Sequence, residues 1–265
     1  MAQEQHNKHE FNKHEFSLYY HDTTALARNN NNNQIIITDE LFIHRVTHIL
    51  RYKEHDSLCI FDRNTVITAV IMAPLHKKKL ILSLVSSKKT ERLTPEITVL
   101  LPLLKKEHLE EAIYNAVETG ATTVQLILTE KVQRSWGGTK EYERLERIMI
   151  AAAEQSKNYN YPLLCEPVKL EKFLIDHTKS ALNSSRSNLK VFAEPTGMPL
   201  PTLLNTITRN KPTTIILCIG PEGDLTPKEK SLLTDNDFIF CALTPTILRA
   251  YQAATVLTAF IRSIL

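Results

Sequence analysis

Thr213-Thr214-Ile215-Ile216-Leu217-Cys218-Ile219 runs directly into Gly220-Pro221-Glu222-Gly223-Asp224, and Thr226-Pro227-Lys228-Glu229 follows one residue later. The first block is a short, continuous, β-branched apolar run, the pattern of a strand buried on both faces. The last block predicts a helix start. Thr226 stands at the N-cap and Glu229 three residues on, so each can satisfy the other's backbone N–H. Pro227 sits at the first helical position, where its missing N–H costs nothing. A strand, a glycine loop and a helix in that order make a β–loop–α unit, and ligands of parallel α/β sheets bind at the carboxyl ends of such strands. The loop is neither GxGxxG nor GxxxxGK[ST], so it gives no support to a dinucleotide or nucleoside-triphosphate site. Only six glycines occur in 265 residues and two are here. Gly220 and Gly223 are therefore expected where the backbone needs positive φ or a close approach to a ligand. A tight strand-to-helix turn would use the same glycines, so the loop by itself leaves both uses open.

The same alternation extends upstream. Ile97–Leu104 reads as a buried strand. Lys106–Thr119 reads as a helix with Leu109, Ile113, Ala116 and Val117 at helical spacing and Gly120 as its C′ residue. Thr123–Leu128 is a strand and Thr139–Lys157 a helix. Further strands are predicted at Leu189–Ala193 and Phe238–Leu243, with helices between them and one at the C-terminus. Alternating strands and helices predict an α/β domain whose parallel sheet is covered on both faces.

Before residue 96 the rhythm differs. Gln34–Thr38, Ser57–Asp62, Val66–Ala73 and Leu80–Val85 are short runs rich in β-branched residues separated by polar breaks, the pattern of a small β-barrel. A helix is predicted from Asp39 to about Arg51, Asn29–Asn33 reads as a loop, and Ser86–Pro95 as the interdomain linker. Residues 1–16, with HNKHEF followed by NKHEF, form a polar low-complexity stretch predicted to be a disordered tail. The expected organisation is thus a tail over 1–16, a barrel over 17–90 and an α/β domain over 91–265.

Charge follows the same division. Residues 1–93 carry 13 Lys/Arg and 10 Asp/Glu, whereas 94–265 carry 19 of each, so the net charge of +3 belongs to the first third. Within 41–92 there are ten basic and four acidic residues. A basic module on a neutral one suits a polyanion-binding appendage, and a lysine-rich solvated surface would have the same composition. No stretch approaches the length of a membrane span, and the N-terminal residues hold no apolar signal core. The four cysteines lie far apart, without a CxxC pair, which argues against zinc and suits reduced thiols in a cytoplasm. No metal is expected.

A second loop completes the picture. Leu243-Thr244-Pro245-Thr246-Ile247-Leu248-Arg249-Ala250-Tyr251-Gln252-Ala253 follows the last predicted strand. Together with Ile219–Asp224, it resembles the paired loops IGPEGG and LGPRILRxETA of SPOUT methyltransferases, specifically the bacterial family that methylates N3 of a uridine in 16S ribosomal RNA. Weaker matches are Ile49-Leu50-Arg51 and Phe61-Asp62 in that family's PUA-like barrel, Glu118 and Gly120 on its ELG element, Ala153–Ser156 on AxEQS, and Glu194 on its first cofactor-side loop. The likeness spans roughly residues 35–265. Thr244, Thr246 and Tyr251 depart from the family's glycine, first arginine and glutamate. Lys157 and Asn158 stand where an arginine usually follows AxEQS, and Arg63 replaces the glycine after Phe61-Asp62.

The resemblance implies a C-terminal domain with a deep trefoil knot over about 190–260, a homodimer, and S-adenosylmethionine as cofactor. Its binding residues would be Glu194, Ile219, Gly220, Pro221, Glu222, Gly223, Leu243, Thr244, Ile247, Leu248, Arg249 and Ala253. It implies 16S rRNA, within the small ribosomal subunit, as substrate, and the basic excess of 41–92 offers Arg45, Arg51, Lys53 and Arg63 of the barrel as the expected RNA contacts. Uracil N3 carries a proton and is a poor nucleophile, so catalysis needs charge stabilisation or proton removal. Arg249 is the first catalytic candidate and Glu222 a weaker one, with an ion-pair role for Arg249 and a loop-ordering role for Glu222 as alternatives. Tyr251 could accept a proton only if perturbed, or it packs against a partner subunit. A paralogue acting on another RNA, and a lapsed enzyme that only binds RNA, remain open.

Overall fold

The computed structural model describes residues 16–28, 33–72, 78–132, 134–181 and 188–265. The predicted tail, apart from Phe16, and most of the Asn29–Asn33 loop lie outside the described residues, as does Ala73 at the end of a predicted strand. The chain divides into two compact units, Met1–Thr90 and Glu91–Leu265.

The first unit contains β1 (Ser17–Tyr19), α1 (Thr23–Arg28), β2 (Gln34–Ile37), α2 (Glu40–His44), β3 (Ser57–Phe61), β4 (Thr65–Ile71) and β5 (Leu80–Lys89). They form a mixed sheet in the order β1-β3-β4-β5-β2, with β1 parallel to β3 and the other pairs antiparallel. Alternation explains the packing. Thr65, Ile67, Ala69 and Ile71 of β4 point inward while the residues between them stay partly open. Leu58, Ile60, Ile67, Leu82 and Val46 fill the core. Asp62 is buried at the β3–β4 turn, where its carboxylate accepts the backbone N–H of Asn64 and Thr65, both at 2.7 Å.

Two expectations need correction here. The helix predicted over Asp39–Arg51 is α2 followed by a π-helical turn, Arg45–Ile49. Asp39 caps it as expected, accepting Phe42 N–H at 2.9 Å. The β-branched Val46, Thr47 and Ile49 crowd a regular helix, the Leu50 N–H reaches back to Arg45 O at 2.9 Å, and Arg51 leaves with φ +56°. The predicted linker also begins too early. Ser86–Lys89 continue β5, pairing with Thr65–Thr68 of β4, so the open positions of a strand were read as a loop.

The second unit contains β6 (Glu96–Pro102), α3 (Lys106–Glu118), β7 (Thr123–Leu128), α4 (Thr139–Ser156), β8 (Leu163–Lys169), α5 (Leu170–Ala181), β9 (Asn188–Pro199), α6 (Leu200–Asn210), β10 (Thr214–Cys218), α7 (Pro227–Asp235), β11 (Ile239–Ala242) and α8 (Ala250–Ser263). All six strands are parallel, in the order β11-β9-β10-β6-β7-β8. The α/β expectation holds. Gly120 (φ +80°) follows the C-cap Thr119, as its position predicted. Thr226 and Glu229 form the predicted capping box above Pro227. The central strands β10 and β6 are almost wholly apolar from Ile215 and Val99 onward because both faces are covered. The pair β8–α5 went unread because Leu163–Lys169 contains Glu166 and Pro167. A proline is tolerated there because β8 lies at the sheet edge.

One irregularity prepares the site. Val191 and Phe192 of β9 pair with Ile239 and Phe240, but the next pair is Met198 with Cys241. Residues 193–197 therefore loop out of the ladder and carry Glu194 with them.

Candidate active site

Parallel register brings the carboxyl ends of β11, β9, β10 and β6 to one edge of the sheet. Between the 193–197 excursion and the loop after β11 lies a cleft of about 60 Å³, lined by Ala193, Glu194, Pro195, Leu243, Thr244, Thr246, Leu248 and Ala253. Five residues expected at the cofactor (Glu194, Leu243, Thr244, Leu248 and Ala253) thus share one concavity. The Thr244 hydroxyl donates to Thr246 O at 2.6 Å, closing the loop on itself.

The β10–α7 loop stands beside this cleft and is tied to it through one lysine. Lys230 Nζ bridges Glu194 Oε2 at 2.5 Å and Asp224 Oδ2 at 2.8 Å. Burial disfavours the ammonium, but the hydrogen bonds and charges of Asp224 and Glu194 outweigh it and raise the Lys230 pKa. Glu194 is buried, so the lysine supplies the counter-charge that a buried carboxylate requires. Lys131 Nζ donates to Gly223 O at 2.9 Å from the loop after β7. The Ile219 side chain is packed in the core and Pro221 is buried. Neither lines the cleft directly.

The glycines behave differently from expectation. Neither Gly220 nor Gly223 has positive φ; that conformation falls to Asp224, at +62°. A β-carbon on Gly223 would meet only the Lys131 side chain, at 3.6 Å. The protein itself therefore has room for a side chain there, and only a ligand could require the glycine. The crowded glycine is Gly197, whose β-carbon would overlap the backbone of Phe240 and Cys241.

Arg249 is exposed at the N-cap of α8, and among the described residues its guanidinium forms no ion pair. Its backbone N–H donates to Gln252 Oε1 at 3.4 Å. Ile247 beside it is 83% exposed. Glu222 is engaged: Oε1 lies 3.3 Å from His108 Nδ1 and 3.5 Å from the Lys105 backbone N. Burial pushes its carboxyl up, yet hydrogen bonds from its own backbone N–H, from His108 and from Lys105, together with the charge of His108, hold it below the usual carboxylate value. The His108 ring stacks on Tyr251, 5.0 Å between centroids. His108, Lys131, Lys230 and Gly197 escaped the sequence reading. Only Gly197 carried a prior signal, as one of six glycines.

Arg45, Arg51, Lys53 and Arg63 all belong to the first unit. Arg51 and Lys53 are exposed between the π-helical turn and β3, and Arg45 and Arg63 are half-buried. Among the described residues no group of three or more His, Cys, Asp or Glu is placed to hold a metal, and no helix is long and apolar enough to cross a membrane.

A parallel sheet with paired loops over a cleft at its carboxyl edge defines an α/β domain with a ligand cleft at the usual place, and the relatives specify it. The family model for the RNA methyltransferase domain matches residues 91–262. A Synechocystis protein named ribosomal RNA small subunit methyltransferase E is 31% identical over 228 residues, which cover 84% of this chain and 71% of that protein. Its Rickettsia conorii namesake is 24% identical over 240 residues, covering 90% and 92%. The chain belongs to the RNA methyltransferase family, in its ribosomal RNA small subunit methyltransferase E branch. A Neisseria gonorrhoeae structure under the same name, bound to S-adenosyl methionine, superposes with a TM-score of 0.76 over 94% of this chain and 98% of that one, at 19% identity.

Proposed function

We propose that this protein transfers a methyl group from S-adenosylmethionine to N3 of a uridine in 16S rRNA of the small ribosomal subunit. The observation that carries this is the convergence of Glu194, Leu243, Thr244, Leu248 and Ala253 on one cleft beside the β10–α7 loop. The residues fit the cofactor. Alanine, leucine and proline walls suit a purine face, and backbone N–H and C=O groups of the two loops suit its polar edge. When bound, the cofactor supplies an electrophilic sulfonium methyl. The chain's own task is then alignment. The 193–197 excursion and the 243–248 loop fix one side, and Lys131 and Lys230 hold the β10–α7 loop rigid on the other, as in-line displacement demands. Arg249, exposed and without an ion pair among the described residues, is free to stabilise charge developing on a uracil oxygen.

The finer architecture belongs to the same proposal. The first unit is a PUA-like RNA-binding barrel over 17–90, presenting Arg51 and Lys53 to phosphates. The second, 91–265, is a SPOUT domain with a trefoil knot over about 190–260. The paired loops 219–224 and 243–253 carry that reading. The active form is a homodimer in the cytoplasm, where its ribosomal substrate is assembled. Calorimetry with S-adenosylmethionine and mass spectrometry of rRNA nucleosides from a deletion strain test the proposal. Cofactor binding together with loss of N3-methyluridine from 16S rRNA is expected. Binding with an unchanged rRNA profile would move the substrate to another RNA, and absence of binding would favour a lapsed RNA-binding protein.

A further inference from the structure

From the Glu222–His108–Tyr251 geometry we infer that His108 is the base that accepts the uracil N3 proton, with Glu222 and Tyr251 as its positioning residues. This rests on the uridine-methylating function proposed above. Glu222 is an ionised carboxylate and only accepts hydrogen bonds, so His108 Nδ1, 3.3 Å from Oε1, must be the donor. That fixes the tautomer with the proton on Nδ1 and leaves the lone pair on Nε2. Among the described residues Nε2 has no hydrogen-bond partner, and the side chain is 29% exposed. The Tyr251 ring, stacked at 28° to the imidazole, sets its plane.

Position supports the role. His108 lies in the first turn of α3, just beyond the carboxyl end of β6, and Glu222 in the loop just beyond β10. β10 separates β6 from β9, which carries Glu194 into the cleft, so the β6 and β9 ends stand roughly 10 Å apart, two strand spacings. Tyr251 is two residues from Ala253, which lines that cleft. The imidazole is thus within the reach of a uracil ring from the cleft. The groups facing it are Glu222 from the β10–α7 loop and Tyr251 from α8. Lys105, Glu107 and Glu111 share its own stretch of chain, and the Glu110–Arg144 ion pair joins α3 to α4.

The step balances. The N3–H bond breaks, its proton passing to Nε2 and its electron pair remaining on N3. That pair forms the bond to the methyl carbon as the carbon–sulfur bond breaks, the electrons of the latter staying on sulfur. The positive charge of the sulfonium ends on the imidazolium, where the Glu222 carboxylate stabilises it. The imidazole returns its proton to solvent between turnovers.

The test uses full-length protein in three measurements. Nitrogen-15 NMR of the histidine ring, without cofactor or RNA, should show the Nδ1–H tautomer in wild type and a mixed population in Glu222→Gln. Single-turnover methylation of small ribosomal subunits should fall about a hundredfold to ten-thousandfold in His108→Ala, and the rise of the wild-type rate with pH should flatten. Added imidazole should restore part of the lost rate, which no merely structural loss allows. Calorimetry should give His108→Ala the wild-type cofactor affinity. An active wild type with an unchanged pH profile in His108→Ala, or a rate loss that imidazole leaves untouched, would overturn the assignment of the base. A wild type that binds no cofactor and methylates no uridine would instead overturn the function on which it rests.

Discussion

The α-carbon of Gly197 faces the backbone of Phe240 so closely that a β-carbon would overlap the Phe240 carbonyl and crowd Cys241 N. Backbone cannot swing aside as a side chain can, so Gly197→Ala should force β9 and β11 apart. A loss above about 2 kcal/mol is expected in chemical denaturation, at the severe end for overpacking. Gly223→Ala, which meets only the Lys131 side chain at ordinary contact distance, should unfold as the wild type does. Equal midpoints for Gly197→Ala and wild type would mean that the crossing can relax.

Lys230 neutralises Glu194 from α7 while also holding Asp224. Lys230→Met removes the counter-charge of a carboxylate that is 8% exposed. Breaking a fully buried pair costs about 3–5 kcal/mol, and the partial exposure of the lysine lowers the expected loss to about 1–3 kcal/mol. Adding Glu194→Gln should return part of it. A double variant no more stable than Lys230→Met would show that Glu194 finds another donor.

Much of this was legible in the sequence, and the exceptions have physical causes. The β10–loop–α7 unit was readable because its signals are local: an apolar run, a threonine three residues before a glutamate, and a proline at the one helical position that tolerates it. Gly120 was readable for the same reason. The π-helical turn was not, since its hydrogen bonding five residues back, Leu50 N–H to Arg45 O, follows no start or stop signal. β8 was hidden by Pro167, which is acceptable only because that strand lies at the edge, a fact of topology. The cleft residues were legible through resemblance. The lysines that fasten the loop were not, because Lys131 and Lys230 act across 92 and 36 residues of chain and no spacing rule reaches that far.

Glu141 ties the loop after β7 to α4, accepting from Arg134 Nη2 at 2.7 Å and from Gly137 N–H at 2.8 Å. Burial raises its carboxyl pKa, but these hydrogen bonds and the charges of Arg134 and Lys106 outweigh it and depress the value. A folded value below the unfolded one contributes stability that is complete above the unfolded carboxylate pKa, about 4.3. It is lost as pH falls through the folded value. Glu141→Gln should therefore melt below wild type at pH 7, and the difference should shrink as the pH is lowered below the unfolded value. A constant difference in Tm across that range would remove ionisation from the account.

Arg51 and Lys53 stand exposed in the most basic stretch of the chain. Arg51→Glu with Lys53→Glu should weaken RNA binding and reduce the salt slope by about 2, close to one for each lost phosphate contact. Cofactor affinity should be unchanged. A wild-type slope in the double variant would place the RNA surface elsewhere.

Arg249 separates a catalytic from a structural role cleanly, because the described residues give it no carboxylate to pair with. Its exposure at the N-cap of α8 leaves the guanidinium little to stabilise in the fold. Arg249→Ala should therefore keep the wild-type Tm within about a degree, since exposed substitutions away from such features change stability by less than about 0.5 kcal/mol. The kinetic expectation is the opposite. Lysine keeps the charge but loses the rigid planar fork that can meet two oxygens at once. Losing a preorganised contact to developing charge costs about a hundredfold to a thousandfold in rate, so Arg249→Lys should bind cofactor normally and methylate slowly. Single-turnover methylation beside a thermal melt distinguishes the outcomes. A lysine variant with wild-type turnover, or an alanine variant that melts several degrees lower with its rate preserved, would assign Arg249 to structure instead.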